Sequence, residues 1–228
     1  MTKAILMTLD EINIIASMCG INKLYGFLNN SEQNDVNTYY QVFYLIKKGY
    51  LYFQDNHGKY TLNVCDEIKE TFHIVKNAEK IIECSYDKST LLCGYIKDNC
   101  VSVLEQNKVN PLKIRVRLLN IDEFIRYLED ENILPDKENI FGINGRMRDI
   151  HKGISYKTQL SYEQIMKKEA VFKFIEPSVG NTVGIIVTGW HRGRDIIAYS
   201  KEFDSKDKLD FYEYNSDIFK MFVKEVMC

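Results

Sequence analysis

The chain lacks any apolar stretch approaching the roughly 20 residues that a helix needs to cross a bilayer. Its opening residues, Met1 to Met7, are followed at once by Asp10 and Glu11. That run is too short for a signal-peptide core, so export by that route is not expected. None of the six cysteines (Cys19, Cys65, Cys84, Cys93, Cys100 and Cys228) forms a Cys-x-x-Cys pair. Their spacing fits no zinc module, and Cys84, Cys93 and Cys100 sit in apolar runs where a thiol behaves as a small hydrophobe. Six free thiols in a cytoplasm are therefore expected. The four histidines, His57, His73, His151 and His191, are too dispersed for a His-x-x-x-His ligand pair. There is no Gly-x-x-x-x-Gly-Lys loop, no Gly-x-Gly-x-x-Gly after a strand and no Gly-x-Ser-x-Gly elbow. No catalytic residue, cofactor site or metal site emerges, and the reading is that of a binding protein rather than an enzyme.

What is present is an ordinary globular composition over 228 residues, 45% hydrophobic and 27% charged, enough to build one large core or two smaller ones. A formal charge of -2 provides no overall field toward nucleic acid or anionic lipid. Thr8-Leu-Asp-Glu11 is a capping box, and Ile12, Ile15, Ala16 and Cys19 follow at helical spacing up to Gly20. A second helix is expected over 35–48, with Val36, Tyr39, Tyr40, Phe43 and Ile46 on one broad apolar face and Gly49 after it. A hairpin follows, with strands over 50–53 and 59–62 and a turn at Asp55-Asn-His-Gly58. Asn63 is placed to cap a third helix carrying an apolar stripe of Ile68, Phe72, Val75, Ala78 and Ile82. Residues 1–82 thus read as a winged-helix-like unit.

Beyond residue 82 the period changes from helical to alternating. Strands are expected over 81–86, 90–97, 100–106 and 112–119, then a helix from Asn120 to Asp130. Residues 135–158 show no clear period and read as a long connection, and a short helix is expected from Ser161 to Glu169. Strands resume over 171–175, 183–190, 195–200 and 208–214, before a last helix from Asn215 or Ser216. Asn120, Asp122, Phe124 and Leu128 correspond to Asn215, Asp217, Phe219 and Val223 at one offset of 95 residues. Residues 83–228 therefore read as a duplicated α+β region, with a first repeat at 83–134, a connection at 135–169 and a second repeat at 170–228. The fold class expected is α+β, a winged-helix-like unit followed by a pseudo-twofold antiparallel sheet of two four-strand-plus-helix repeats.

A winged helix raises the question of DNA, and the charges answer it. Up to Leu62 five lysines face five carboxylates, and the first arginine of the chain is Arg115. Neutralising phosphates and reading guanine both call for more cation than this. Two clusters remain as candidates for binding a protein partner. One is the segment 189–195, in which Trp190, Arg192 and Arg194 flank a turn. Trp and Arg dominate interface hot spots, although a hairpin turn with Trp190 packed on its sheet explains the same residues. The other is one face of the sheet. Alternation places Ile114, Val116, Leu209 and Phe211 inward and leaves Arg115, Arg117, Tyr212 and Tyr214 on the opposite face, where helical cover would make them ordinary packing residues.

Several of these segments resemble the EspG-like chaperones of type VII (ESX) secretion systems, in the form found in low-GC Gram-positive bacteria. The resemblance is carried by Thr8–Ala16 and the small-residue stretch Cys19–Phe27. It continues in Leu45-Ile-Lys-Lys-Gly-Tyr-Leu51 before the hairpin, and in Gly193-Arg-Asp-Ile-Ile-Ala-Tyr199 before a strand and a final helix. It follows the order of elements over most of the chain. It implies a pseudo-twofold α+β fold in the cytosol that binds helical-hairpin secretion substrates without catalysis, with no nucleic-acid or membrane partner. A winged-helix regulator with a ligand-sensing domain is the alternative reading.

Overall fold

The computed structural model describes residues 4–27, 35–86, 90–107, 109–110, 112–134, 160–161, 167–178, 180–191, 194–200, 208–213 and 215–227. The connection expected at 135–158 lies outside the described residues. The chain is mixed α+β, the ladders among the described residues are antiparallel, and it divides into two units, each assembled from two separate stretches of sequence. The first comprises Met1–Glu79 with Thr90–Ile121, the second Lys80–Ser89 with Asp122–Cys228. A boundary at residue 82 therefore falls inside a strand of the second unit.

The first unit begins with β1 (Ile5–Thr8), which passes without a loop into α1 (Leu9–Met18). The expected capping box joins them. Thr8 Oγ1 accepts from the Glu11 N–H at 3.2 Å, and Glu11 Oε2 accepts from the Thr8 N–H at 2.9 Å. The other carboxylate oxygen of Glu11, a residue only 2% exposed, accepts from Lys48 Nζ. One buried carboxylate thereby ties the start of α1 to the chain just after α2 (Asp35–Lys47). Gly20 follows α1 at φ +72 as expected, and the Lys76 ammonium donates to the Cys19 carbonyl at 3.0 Å.

The hairpin is β2 (Leu51–Asn56) and β3 (Lys59–Val64), with its turn centred on His57 and Gly58, both at positive φ. α3 (Asp66–Lys76) departs from expectation at both ends. Its N-cap is Cys65, not Asn63, whose side chain donates to Gln54 and Thr61 within the hairpin. It also stops at Asn77, and Ile82 lies in β4 (Lys80–Tyr86) rather than on a helical stripe. The β-branched pair Ile81-Ile82 is better used opposite Ile175 and Phe174 in a sheet than at a helix end.

The sheet of the first unit runs β1, β7 (Lys113–Asn120), β6 (Cys100–Gln106), β5 (Thr90–Lys97). One face carries Met7, Ile114, Val116, Leu104, Cys93 and Tyr95, all buried. The loop after α1 lies on that face, since the Tyr95 hydroxyl donates to the Tyr25 carbonyl at 3.1 Å. Gly26 there adopts φ +75, and a Cβ at this position would collide with Cys93 Sγ, so only glycine fits.

The second unit orders its strands β4, β9 (Lys167–Glu176), β10 (Asn181–His191), β11 (Arg194–Ser200), β12 (Lys208–Glu213) and the short β8 (Leu160–Ser161). The short helix expected from Ser161 is not formed as such. Ser161 pairs with Lys208 and Lys167–Glu169 belong to β9, with 162–166 outside the described residues. Pairing of Lys167 with Trp190 and Lys168 with Gly189 overrides the local helix-start signal. The helices expected after each strand series are α4 (Ile121–Asp130) and α5 (Ser216–Met227). Asn215 caps α5 through its side-chain oxygen, which accepts from the Asp217 N–H at 2.7 Å. α5 covers the sheet face bearing Ile82, Cys84, Phe172, Phe174, Ile186 and Ile197, with Phe219 edge-on to Phe172 at 5.1 Å.

Candidate protein-docking surface

Among the described residues the surface that the core leaves uncovered is most aromatic on α2 and the hairpin. Among the described residues every exposed aromatic falls between Tyr39 and Tyr60: Tyr39, Tyr40, Phe43, Tyr44, Tyr52, Phe53 and Tyr60. The helical geometry explains the first four. At 3.6 residues per turn they span an arc of about 140°, while Leu45 stands about 170° from the centre of that arc. Leu45 is fully buried, and Thr38, Gln41 and Val42 beside it are half-buried. The aromatic face anticipated from the sequence is thus the outer face, with Tyr39 79% and Phe43 62% exposed. Phe43 and Tyr44 meet edge to face at 6.2 Å. The helix closes on Gly49 at φ +76, where the Tyr50 N–H returns to the Leu45 carbonyl at 2.9 Å and sets the start of β2.

The hairpin divides its two faces sharply. Leu51 pairs with Val64, Phe53 with Leu62 and Asp55 with Tyr60 on one side. The root of that side is buried at Leu51 and Val64, whereas its outer part, Phe53 and Tyr60, is exposed. The other side carries a polar ladder in which Asn63 Nδ2 donates to Gln54 Oε1 at 3.1 Å and Asn56 Nδ2 to Thr61 Oγ1 at 3.2 Å. Phe53 and Tyr60 thus hold aromatic surface away from the core on one side of the ribbon, and Tyr52 is exposed on the other. Charge is sparse here: from Val36 to Ile46 there is none. The arrangement suits burial of neutral, aromatic area with hydroxyl groups at its margin, which is interface chemistry rather than phosphate binding.

The residues anticipated as partner contacts lie elsewhere. Arg115 is half-buried on β7, its guanidinium 3.5 Å from the Glu105 carboxylate, which is 1% exposed. Arg117 is likewise half-buried, opposite Val103. Tyr212 lies against Phe222 of α5 with ring centroids 5.3 Å apart. It therefore sits on the helix-covered face, not on a free one. Trp190 and Arg194 are strand residues facing Asp195 and His191 across the β10–β11 ladder, described at the backbone only. Arg192 and Tyr214 lie outside the described residues. Of these residues the side chains of Arg115, Arg117 and Tyr212 are described, the first two in the first unit and Tyr212 in the second. Because Arg115 serves a buried carboxylate, Arg115→Ala should lower the unfolding free energy by about 2 kcal/mol. A free surface arginine would change it by less than about 0.5 kcal/mol, and urea denaturation separates the two.

The five described cysteines are free, and Cys228 lies outside the described residues. Burial pushes the Cys19 thiol above its ordinary range, partly offset by the Lys76 and Lys69 ammonium groups. Among the described residues no group of three or more His, Cys, Asp or Glu side chains could hold a metal ion. No described helix is long and apolar enough to cross a membrane. No family model matches the chain, and no curated protein is similar enough to count as a relative.

Proposed function

We propose that this protein is a non-catalytic, cytosolic chaperone or adaptor for helical-hairpin substrates of a type VII secretion system, and that it meets them through the aromatic surface of α2 and the hairpin. The observation that carries the docking surface is the confinement of all described exposed aromatics to residues 39–60. Those seven side chains together expose about 900 Å², with Tyr52 on the opposite side of the hairpin from Phe53 and Tyr60, against roughly 800 Å² per partner in a standard interface. Exposed aromatic area on this scale is an invitation to a partner or to aggregation. A helical hairpin offers what fits it, an apolar stripe along a rod.

The secretion context rests on the resemblance of Thr8–Ala16, Cys19–Phe27, Leu45–Leu51 and Gly193–Tyr199 to the EspG-like chaperones. In this reading α1, α2, the hairpin and α3 are the winged-helix-like unit with the hairpin as its wing. The series β4-β5-β6-β7-α4 and β9-β10-β11-β12-α5 are its two repeats, and Phe124 and Phe219, both 0% exposed, hold the same place in each. A winged-helix regulator would need cations where α2 instead presents a neutral aromatic face.

Co-expression with small helical-hairpin proteins encoded beside this gene tests the proposal. The full chain should co-purify with one of them at equal stoichiometry. Phe43→Asp and Phe53→Asp should each weaken capture at least about 30-fold, the effect of a hot-spot residue. Capture untouched by both changes in folded variants would place the interface elsewhere. A salt-sensitive complex with a defined DNA fragment, in place of protein capture, would favour the regulator.

A further inference from the structure

We infer that the aromatic strip of α2 pairs with α2 of a second copy of this chain, the two helices antiparallel, and that this pairing covers the strip until a substrate displaces it. The inference rests on the docking surface proposed above and adds its resting occupant. It starts from the helix itself. α2 has 13 residues, a length at which an isolated helix is marginal in water, and of its described side chains Leu45 alone is fully buried. Within the unit Leu45 is its one fully buried described anchor, and an external face of four aromatics is available for further packing.

The strip is self-complementary. Its aromatics occupy positions 39, 40, 43 and 44, which are symmetric about a point between Gln41 and Val42. A twofold axis through that point sets Tyr39 of one copy level with Tyr44 of the other, and Tyr40 level with Phe43. The end charges are opposite in sign: Asp35 begins the helix, Lys47 ends it, and no charge lies between Val36 and Ile46, so that the axis sets Lys47 level with Val36, one residue from Asp35. An antiparallel pair brings each Lys47 to the Asp35 end of the other copy and opposes the two helix dipoles favourably, whereas a parallel pair aligns like charges. Lys48 is already engaged by Glu11, which leaves Lys47 as the end charge available to the second copy.

The area sets the strength. The four aromatics expose about 500 Å² per copy, or about 1,000 Å² for the pair, at the lower bound of specific interfaces. An interface this small is expected to be weak, so that a substrate that also engages Phe53 and Tyr60 can replace the second copy.

Light scattering and sedimentation equilibrium of the full chain, between about 1 and 100 μM, test this. The mass should rise from 26.7 kDa to twice that value with concentration. Phe43→Asp and Tyr40→Asp, both at exposed positions, should remain monomeric with unchanged circular dichroism. Lys47→Glu should weaken pairing at least tenfold, and the double exchange Asp35→Lys with Lys47→Glu should restore it to within about threefold, since it rebuilds the end-to-end attraction. A monomer at every concentration, a dimer indifferent to Phe43→Asp, or no rescue by the double exchange overturns the inference. Substrate capture by such a monomer would leave the chaperone reading standing, and a dimer of the stated kind without capture would remove that reading alone.

Discussion

Replacing Phe172 with alanine should lower the unfolding free energy by about 4 kcal/mol, the upper part of the range for a buried aromatic. The ring sits on β9 with Cys84 of β4 and Ile186 of β10 as cross-strand neighbours, all three side chains without solvent exposure. Phe219 of α5 closes over it edge to face at 5.1 Å. Two flanking strands held by their ladders cannot collapse into the space, so the cavity persists and adds to the lost transfer energy. Phe172→Leu, which keeps most of the volume, should cost only about 1 kcal/mol. Urea unfolding followed by the fluorescence of the single tryptophan, Trp190 on β10 of the same unit, measures both. Equal losses for the two variants would show that the aromatic contact with Phe219, rather than the filled volume, sets the cost.

Glu11→Ala should be the most damaging change at a polar position, at about 3 kcal/mol. The carboxylate completes the capping box and also holds Lys48, so its loss removes two bonds and strands the Thr8 N–H. Thr8→Ala, which removes only one side of the box, should cost about 1 kcal/mol. Thermal unfolding of the two variants and their double mutant supplies the comparison. A double mutant worse than Glu11→Ala but short of additive is expected, because both residues order one cap while Thr8 Oγ1 keeps the residue-11 N–H as its partner in Glu11→Ala. Additive losses would mean that Thr8 and Glu11 act separately.

Much of this architecture was legible because strands paired on both sides leave a strong alternating record. The eight strands expected over 81–119 and 171–214 each coincide with an observed one to within two residues at each end, the one exception being the N-terminus of β9. β1 escaped because Ile5–Thr8 abuts the capping box with no turn residue between strand and helix. Ile82 misled because it falls at helical spacing from Phe72 and Val75 by coincidence, while its own neighbours alternate. For Tyr212, alternation correctly grouped residues into two faces but carries no information on which face a helix covers.

The aromatic face of α2 was visible in the sequence as a pattern whose direction was left open. Periodicity shows that Tyr39, Tyr40 and Phe43 share a side of α2, and it is silent on whether that side meets the core. Two cues were available. Tyr39-Tyr40 and Phe43-Tyr44 spread over a wider arc than a core stripe of this short helix needs, and three of the four carry a hydroxyl that prefers an accessible margin.

The interleaving of the two units bears on how the chain leaves the ribosome. By the time Ile121 has emerged, every strand of the first unit has been made and its ladders can close. β4, although synthesised earlier than β5, has to wait for β9, whose residues 167–176 arrive roughly eighty positions later. Through that interval Ile81, Ile82 and Cys84 form a nascent apolar strand with no ladder on that side, a species open to wrong pairing with other nascent chains. Slow translation between residues 121 and 167 would lengthen this exposure, and holdase chaperones acting on nascent chains are expected to engage the segment at 80–86 during it.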